Sequence, residues 1–522
     1  MTSSHLSRKS QPEERCRASS RGRGQDSGWL EDGWQPLQIP FTETWGPRGA
    51  AAELDSRLPA DFLELFLTDE LLGHIVDQTN LYAHQFFEAH PDSLPHSRRN
   101  VWKPVSVQEI KTFFGLTFLT GYVKKPSLEL YWSVNEVDAT PYFSQTMSRN
   151  RFQLIWRFLH YNDKKNQDAT DRMYKVRPVL TYVVNKFKEL YQPARNICID
   201  EGMMRGRLSF RVYNPQKPVK YGIKSYTLCD SATGYCFNMK PYVGEGSTLS
   251  DIVFELLDRL QGHGHTLFMD IFYNSVSLCE RLVGERTNVC GTLRKNSGEP
   301  KIVTEVTESD LTGERLVRHN GKVMVLAWHD KRVVKMVTSC HQDKMETVEV
   351  WKKGHATRVP QLKPECVVAY NACMNGVDKL DQNIAYYPFI RRSLNWSKKF
   401  VAYLFQIAMF NAYVLYRAKN PGECKSHLDF ICGVVRSWTA KRRVREEDED
   451  AEDVEAEFGD EADGGTQRAP YQTDPESRLD GVLKKHRLEN MQPTSRKSRP
   501  ARRCRKQVVY KQFISEMVLK MG

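Results

Sequence analysis

From about residue 60 to residue 195, apolar residues recur every three or four positions, the period of a helix with one buried face. Thr68 is placed to cap a helix with Asp69 and Glu70 in its first turn and Leu71, Leu72, Ile75, Val76, Tyr82 and Phe86 on one side. Ser106-x-x-Glu109 reads as a capping box ahead of Ile110, Phe113, Phe114 and Phe118. Ser148 opens a third helix carrying Phe152, Ile155, Trp156 and Leu159, and Pro178 starts a fourth that reaches Tyr191. At Asn196 the period changes. Asn196 to Asp200 reads as a short buried strand ending in a carboxylate. Leu208 to Tyr213 is an extended connector, and Tyr221 to Cys229 and Tyr235 to Val243 are strands joined by the turn Asp230-Ser-Ala-Thr-Gly234. Leu249 to Leu260 is a helix, His265 to Asp270 is a second short strand ending in aspartate, and Val289 to Arg294 is one more strand. Residues 297–364 read as short strands and polar turns, an all-β insertion. Helical patterns resume near Asn375 and continue from Asn395 to Tyr416.

Composition adds a charge asymmetry to this pattern. The net charge is +12, but 12 acidic residues and no basic one lie between Glu446 and Asp463, so the rest of the chain carries +24. A basic body points to a polyanionic partner, most commonly nucleic acid. Ten Lys or Arg between Lys484 and Lys506 suit nuclear import or nonspecific DNA binding, and the expected location is the nucleus. The 12 cysteines are scattered singly with no C-x-x-C pair, the pattern of reduced buried thiols. The first residues hold no apolar run, and Val401 to Tyr416, broken by Gln406 and Asn411, falls short of the ~20 apolar residues of a membrane span. A soluble intracellular protein with no membrane partner is expected. Residues 1–58 and 441–522 are too polar to build a core and are expected to be disordered.

Asp200 and Asp270 end two apolar strands of one βββαβ unit, and strand ends of a mixed sheet share a crevice. Asp378 and Asp381, at i and i+3, share a helix face. Hard oxygens from several chain positions suit Mg²⁺ or Mn²⁺, and two such ions support phosphodiester displacement. The bland reading is a pair of turn formers and a solvated helix face. No lysine-bearing glycine loop is present, so no nucleotide cofactor is expected.

These residues lie in longer motifs: Ile199-Asp-Glu-Gly-Met-Met-Arg-Gly-Arg207, Tyr213-Asn-Pro-Gln-Lys-Pro-Val-Lys-Tyr-Gly-Ile-Lys224, Cys229-Asp-Ser-Ala-Thr-Gly234, Met269-Asp-Ile-Phe-Tyr-Asn-Ser275, Gly291-Thr-Leu-Arg294 and Tyr370-Asn-Ala-Cys-Met-Asn-Gly-Val-Asp-Lys-Leu-Asp-Gln382. With Leu159-His-Tyr-Asn-Asp163 upstream, the chain from about 60 to 440 resembles the piggyBac family of transposases. The resemblance implies an α/β plus α protein with a ribonuclease-H-like DDE catalytic core. Asp200, Asp270 and Asp378 would be the catalytic triad, with Asp381 a fourth acidic residue at two Mg²⁺ or Mn²⁺ ions. The implied partners are double-stranded DNA (transposon ends and a TTAA target) and a second copy of the chain. The implied activity is cut-and-paste strand cleavage and transfer through a hairpin.

The implied layout runs as follows: 1–58 disordered; 59–195 and 388–440 the two parts of a helical dimerisation and DNA-binding domain; 196–296 and 365–387 the catalytic core; 297–364 the β-rich insertion; 441–522 a disordered tail. Arg205, Arg207, Lys217, Lys220, Lys224, Lys398 and Lys399 are candidate phosphate contacts or ordinary solubilising surface. Trp396 reads as a core anchor. Family members end in a cysteine- and histidine-rich zinc module. Here Arg478-Leu-Asp-Gly481, His486 and Arg502-Arg-Cys-Arg505 fit its lead-in, but no cysteine follows Cys504. One thiolate cannot close a four-ligand zinc site, so no structural zinc is expected. That departure keeps open a domesticated DNA-binding or chromatin protein that no longer cuts. A carboxylate-based glycosidase has little support from a basic body.

Overall fold

A computed structural model describes residues 28–440 apart from 38, 91–101, 207–209, 216–219, 245, 312–314, 352–353, 355–356 and 390–394, together with Leu488–Asn490 and Arg502–Cys504. The helices α1 (Asp69–Ala89), α2 (Val107–Leu119), α3 (Arg149–Phe158) and α4 (Arg177–Leu190) stand where the apolar period places them. Thr68, Ser106 and Ser148 each accept a backbone N–H three residues on. Ser106-x-x-Glu109 is half a capping box. The Glu109 carboxylate leaves its own helix to take both the Nε and a terminal nitrogen of Arg151, at 2.8 and 2.7 Å.

The sheet follows in β1 (Asn196–Arg205), β2 (Tyr221–Asp230), β3 (Cys236–Pro241), helix α5 (Leu249–Leu256), β4 (Thr266–Met269), helix α6 (Val276–Gly284) and β5 (Asn288–Thr292). Helix α6 has no counterpart in the sequence reading. Beyond it come β6 (Arg315–His319), β7 (Met324–His329), β8 (Val333–Thr338) and the hairpin β9 (Met345–Val350)–β10 (Val359–Pro364). Spatially the core order is β3-β2-β1-β4-β5, with β1 antiparallel to β2 and parallel to β4, and β4 parallel to β5. Ile197, Cys198, Ile199 and all of β4 are buried, as strands covered on both faces must be.

Three expectations are corrected here. Strand β1 does not stop at Asp200 but runs to Arg205, because its antiparallel partner β2 continues to Gly222 while its parallel partner β4 ends at Met269. The insertion is not a separate β unit: β8 pairs with β5, and β7 and β6 extend the same sheet, covering an edge that β5 would otherwise expose. Of the insertion's described strands only β9–β10 pair apart from it, and a short helix, Lys301–Glu305, lies in the same region. Residues 28–58 are an ordered strap. Leu30 exchanges backbone hydrogen bonds with His319, Trp34 Nε1 donates to His341 O at 2.8 Å, and Phe41 packs edge-on against His265. Their partners lie more than 200 residues away in sequence, so no local pattern reveals them.

The chain closes with α7 (Glu365–Cys373), α8 (Gly376–Tyr386), α9 (Trp396–Lys419) and α10 (His427–Thr439). Helix α9 is buried on nearly every side, and its two amides are satisfied inside the fold. Asn411 accepts from Cys236 N at 2.9 Å and donates to Cys236 O at 2.8 Å, completing the edge of β3. No described helix is long and apolar enough to cross a membrane. Most of 441–522 lies outside the described residues. Leu488–Asn490 pairs antiparallel with Arg502–Cys504 within a second compact unit, Val454–Gly522, where the sequence reading expected no structure.

Candidate active site

The last paired residues of the parallel strands β1 and β4 are Ile199 and Met269. The next residue on each is an aspartate. Asp200 and Asp270 therefore leave the sheet at the same level on adjacent strands, a spacing of about 4.8 Å between backbones. Both are half-buried. Asp200 Oδ1 accepts the N–H of Glu201 at 2.7 Å, and Asp270 Oδ1 accepts that of Phe272 at 2.9 Å. The Asp270 main chain is bracketed by Asn274, whose Nδ2 donates to Met269 O, Asp270 O and Thr292 O at 2.9–3.1 Å. Gly291 makes that bracket possible, since a Cβ there would stand 2.2 Å from Asn274 Nδ2 and 2.1 Å from Met269 O.

Alternation along β1 sends Cys198, Asp200 and Gly202 to one face. Helix α8 lies on that face, so close that a Cβ on Gly376 would sit 2.7 Å from Cys198 Sγ. Asp381, half-buried on α8, is close enough to act on Tyr403: burial first, and then this carboxylate, push the phenol well above its usual range. The Tyr403 hydroxyl in turn lies over Gly202, where a Cβ would come within 2.9 Å of it. Asp378 is exposed on the first turn of α8. Among the described residues the four aspartates do not form a ready cluster of three or more metal-ligating side chains. Asp200 and Asp270 are brought together, Asp381 shares their face of the sheet, and Asp378 stays at the solvent side.

Two tyrosines feel both strand-end carboxylates. Burial pushes the Tyr370 phenol up to about 12, with Asp270 and Asp200 adding to it. Tyr273 is raised by burial and then by Glu201, Asp200 and Asp270, and its hydroxyl is buried without a hydrogen-bond partner. The sequence reading did not single out Tyr273, Tyr370 or Tyr403. The first two stand inside the Met269–Ser275 and Tyr370–Gln382 motifs, which is the signal that was available.

The basic candidates divide. Lys220 is exposed, and Lys399 is half-exposed. Arg207, Lys217 and the Arg205 side chain lie outside the described residues. Lys224 is corrected from a phosphate contact: its ammonium is 2.9 Å from Glu201 Oε1, on the face opposite Asp200, and both side chains are about nine-tenths covered, at 12% and 10% exposure. Lys398 is corrected likewise. It is buried, donates to the carbonyls of Trp156 and Arg157 at the end of α3, and desolvation lowers it to about 7. Trp396 is half-buried, edge-on to Phe210.

A mixed sheet carries the adjacent strand-end carboxylates and is packed against helices from both ends of the chain. A family model described as Transposase IS4 matches residues 58–413, and the chain belongs to that family. Its relatives are of the piggyBac type. PiggyBac transposable element-derived proteins 2 and 3 of Homo sapiens are each 27% identical over 384 residues, 69% of this chain and 61% of theirs. The chain thus spans about three-fifths of the length of those relatives. PiggyBac transposable element-derived protein 5 of Homo sapiens is 24% identical over 432 residues, 78% of each chain. A cryo-EM structure of a piggyBac transposase synaptic complex with hairpin DNA superposes with a TM-score of 0.66 at 25% identity, covering 76% of this chain and 83% of that one.

Proposed function

We propose that the chain is a metal-dependent DNA strand transferase of the cut-and-paste kind, cutting at element ends, passing through a hairpin and joining at TTAA. The observation that carries this reading is the shared level of Asp200 and Asp270 on parallel strands. The β3-β2-β1-β4-β5 order with one antiparallel and one parallel half supports a ribonuclease-H-like core. The donor set suits a hard divalent cation, since Mg²⁺ takes few protein carboxylates and fills its remaining positions with water and substrate phosphate. Asp200 and Asp270 would hold it, with Asp381 and Asp378 contributed from α8. Bound there, two such ions would supply Lewis acidity to the scissile phosphate and acidify an attacking water. The protein's part is placement. The Asn274 bracket fixes the Asp270 backbone, and Tyr403 packs over Gly202 on the same face of β1 as Asp200. The helical block 59–195 with 388–440 is assigned to dimerisation and DNA binding, and the nucleus is the expected location.

A second reading is a domesticated, non-cutting DNA-binding protein. It is favoured by the solvent-side position of Asp378 and by the inward lysines 224 and 398. The test is incubation of purified protein with DNA carrying an element end, a TTAA flank and Mg²⁺. Nicks and hairpins that fall by more than about a hundredfold in Asp270→Ala, beyond the typical cost of losing a mere supporting partner, uphold cutting. Salt-sensitive binding without nicks in either form moves the function to the second reading.

A further inference from the structure

We propose that Phe272, with Ile271 beside it, is a stacking platform for an unpaired DNA base next to the carboxylate pair. The proposal rests on the reading of the chain as a DNA-handling protein but not on its being able to cut. Large apolar side chains exposed singly are ordinary on a protein surface. Here two successive ones, Ile271 at 48% and Phe272 at 38% exposure, follow directly on Asp270. Two residues of chain reach at most about 7 Å, roughly the length of one extended nucleotide, so a strand whose phosphate lies at Asp270 has its neighbouring base at Phe272.

The platform is rigid before any ligand arrives. The Phe272 N–H is tied to Asp270 Oδ1 at 2.9 Å, and Asp270 O receives Tyr273 N and Asn274 N at 3.3 and 3.4 Å. Behind the exposed ring an aromatic row runs inward: Phe272 meets Tyr273 edge-on at 5.1 Å, and Tyr273 meets Tyr226 edge-on at 6.2 Å. The Lys224 ammonium stands 4.0 Å from the Phe272 ring centroid and is itself held by Glu201. A ring fixed on one side by neighbouring aromatics and a cation, and open on the other, loses little conformational freedom when a base stacks on it. A base provides a flat π-face of any sequence to the open side of the ring. A protein partner would need a wider apolar surface than these two side chains offer.

The probe is a short duplex closed by a TTAA hairpin loop with 2-aminopurine in the loop, mixed with the full chain in the absence of divalent metal. Wild type is expected to change the 2-aminopurine emission and to bind the hairpin more tightly than an uninterrupted duplex. Phe272→Ala is expected to lose the emission change and about tenfold in hairpin affinity, with duplex affinity unchanged. Phe272→Leu keeps the apolar volume and lacks the π-face, so it should lose the emission change as well, whereas Phe272→Trp should keep it. Equal emission and affinity in wild type and Phe272→Ala overturn the proposal. So does a wild type that prefers no hairpin, or a Phe272→Ala whose one change is its oligomeric state. An emission change from a protein that makes no nicks with Mg²⁺ would sink the cutting activity and leave the platform standing.

Discussion

Asp200 and Glu201 are consecutive carboxylates on one strand, and the pleat sends them to opposite faces of the sheet with opposite fates. Asp200 is half-open, level with Asp270, and faces helix α8 with its own carboxylate Asp381. Glu201 is buried and matched at 2.9 Å by Lys224, whose ammonium lies against the rings of Tyr226 and Phe272. A carboxylate kept half-solvated among others of its charge suits a cation from outside, whereas one given an internal cation serves the fold. The adjacent residue types are nearly the same, so the face and the partner decide the role.

That contrast is breakable in graded steps. The largest effect on stability is expected from Glu201→Gln, which leaves a covered ammonium without its counter-charge, at a cost of about 3–5 kcal/mol in denaturant unfolding. Asp200→Asn should leave unfolding nearly unchanged while removing nicking. If the two substitutions destabilise alike, the division between the faces is wrong. Glu201→Leu combined with Lys224→Met should recover most of the loss, because an apolar pair of similar volume replaces the ions.

Next in size is Gly376→Ala. Its Cβ would stand 2.7 Å from Cys198 Sγ and 2.9 Å from Asp230 O, so α8 must lift. About 1–3 kcal/mol of stability is expected to go, with strand cleavage falling further than binding because Asp378 and Asp381 move with the helix. Cys198→Ala in the same chain should relieve part of it.

Lys398 gives the most graded test, with the smallest change at each step of pH. It is a buried lysine that donates to carbonyls and, among the described residues, is paired with no carboxylate; it lies beside Arg157 and beside a His160 that burial lowers to about 3. Its folded value of about 7 lies below the ordinary lysine value of about 10.4, so the unfolded chain binds more protons between the two. Stability should therefore rise with pH through that window, by at most about 1.4 kcal/mol per pH unit, and Lys398→Met should lose that part of the slope. An identical slope in both would mean that water reaches the ammonium.

Much of the helical block was legible from the sequence, because Thr68, Ser106 and Ser148 signal their helices through local hydrogen bonds. The two strand-end aspartates were legible for a similar reason, each closing a short apolar run. The Glu201–Lys224 pair was not, since only the register that sets Met203 against Lys224 brings the lysine across to Glu201. Lys398 carried no sign of burial, because its helix is enclosed by segments from both ends of the chain. The strap at 28–58 was missed because polar composition says nothing of anchors such as Trp34, whose partner His341 is 307 residues on.

Helix α9 and its successor α10 have a bearing on how the chain is made. They complete a helical block whose other members are synthesised first, and Trp438 bonds Glu64 across 374 residues of sequence. At about 5–20 residues per second, translation leaves Phe62, Phe114 and Phe118 without their partners Tyr416, Phe405 and Trp438 for something on the order of tens of seconds. A message ending before residue 396 would never supply them. The nascent chain thus carries exposed rings until its last helices emerge, and premature termination should yield aggregates rather than a working fragment.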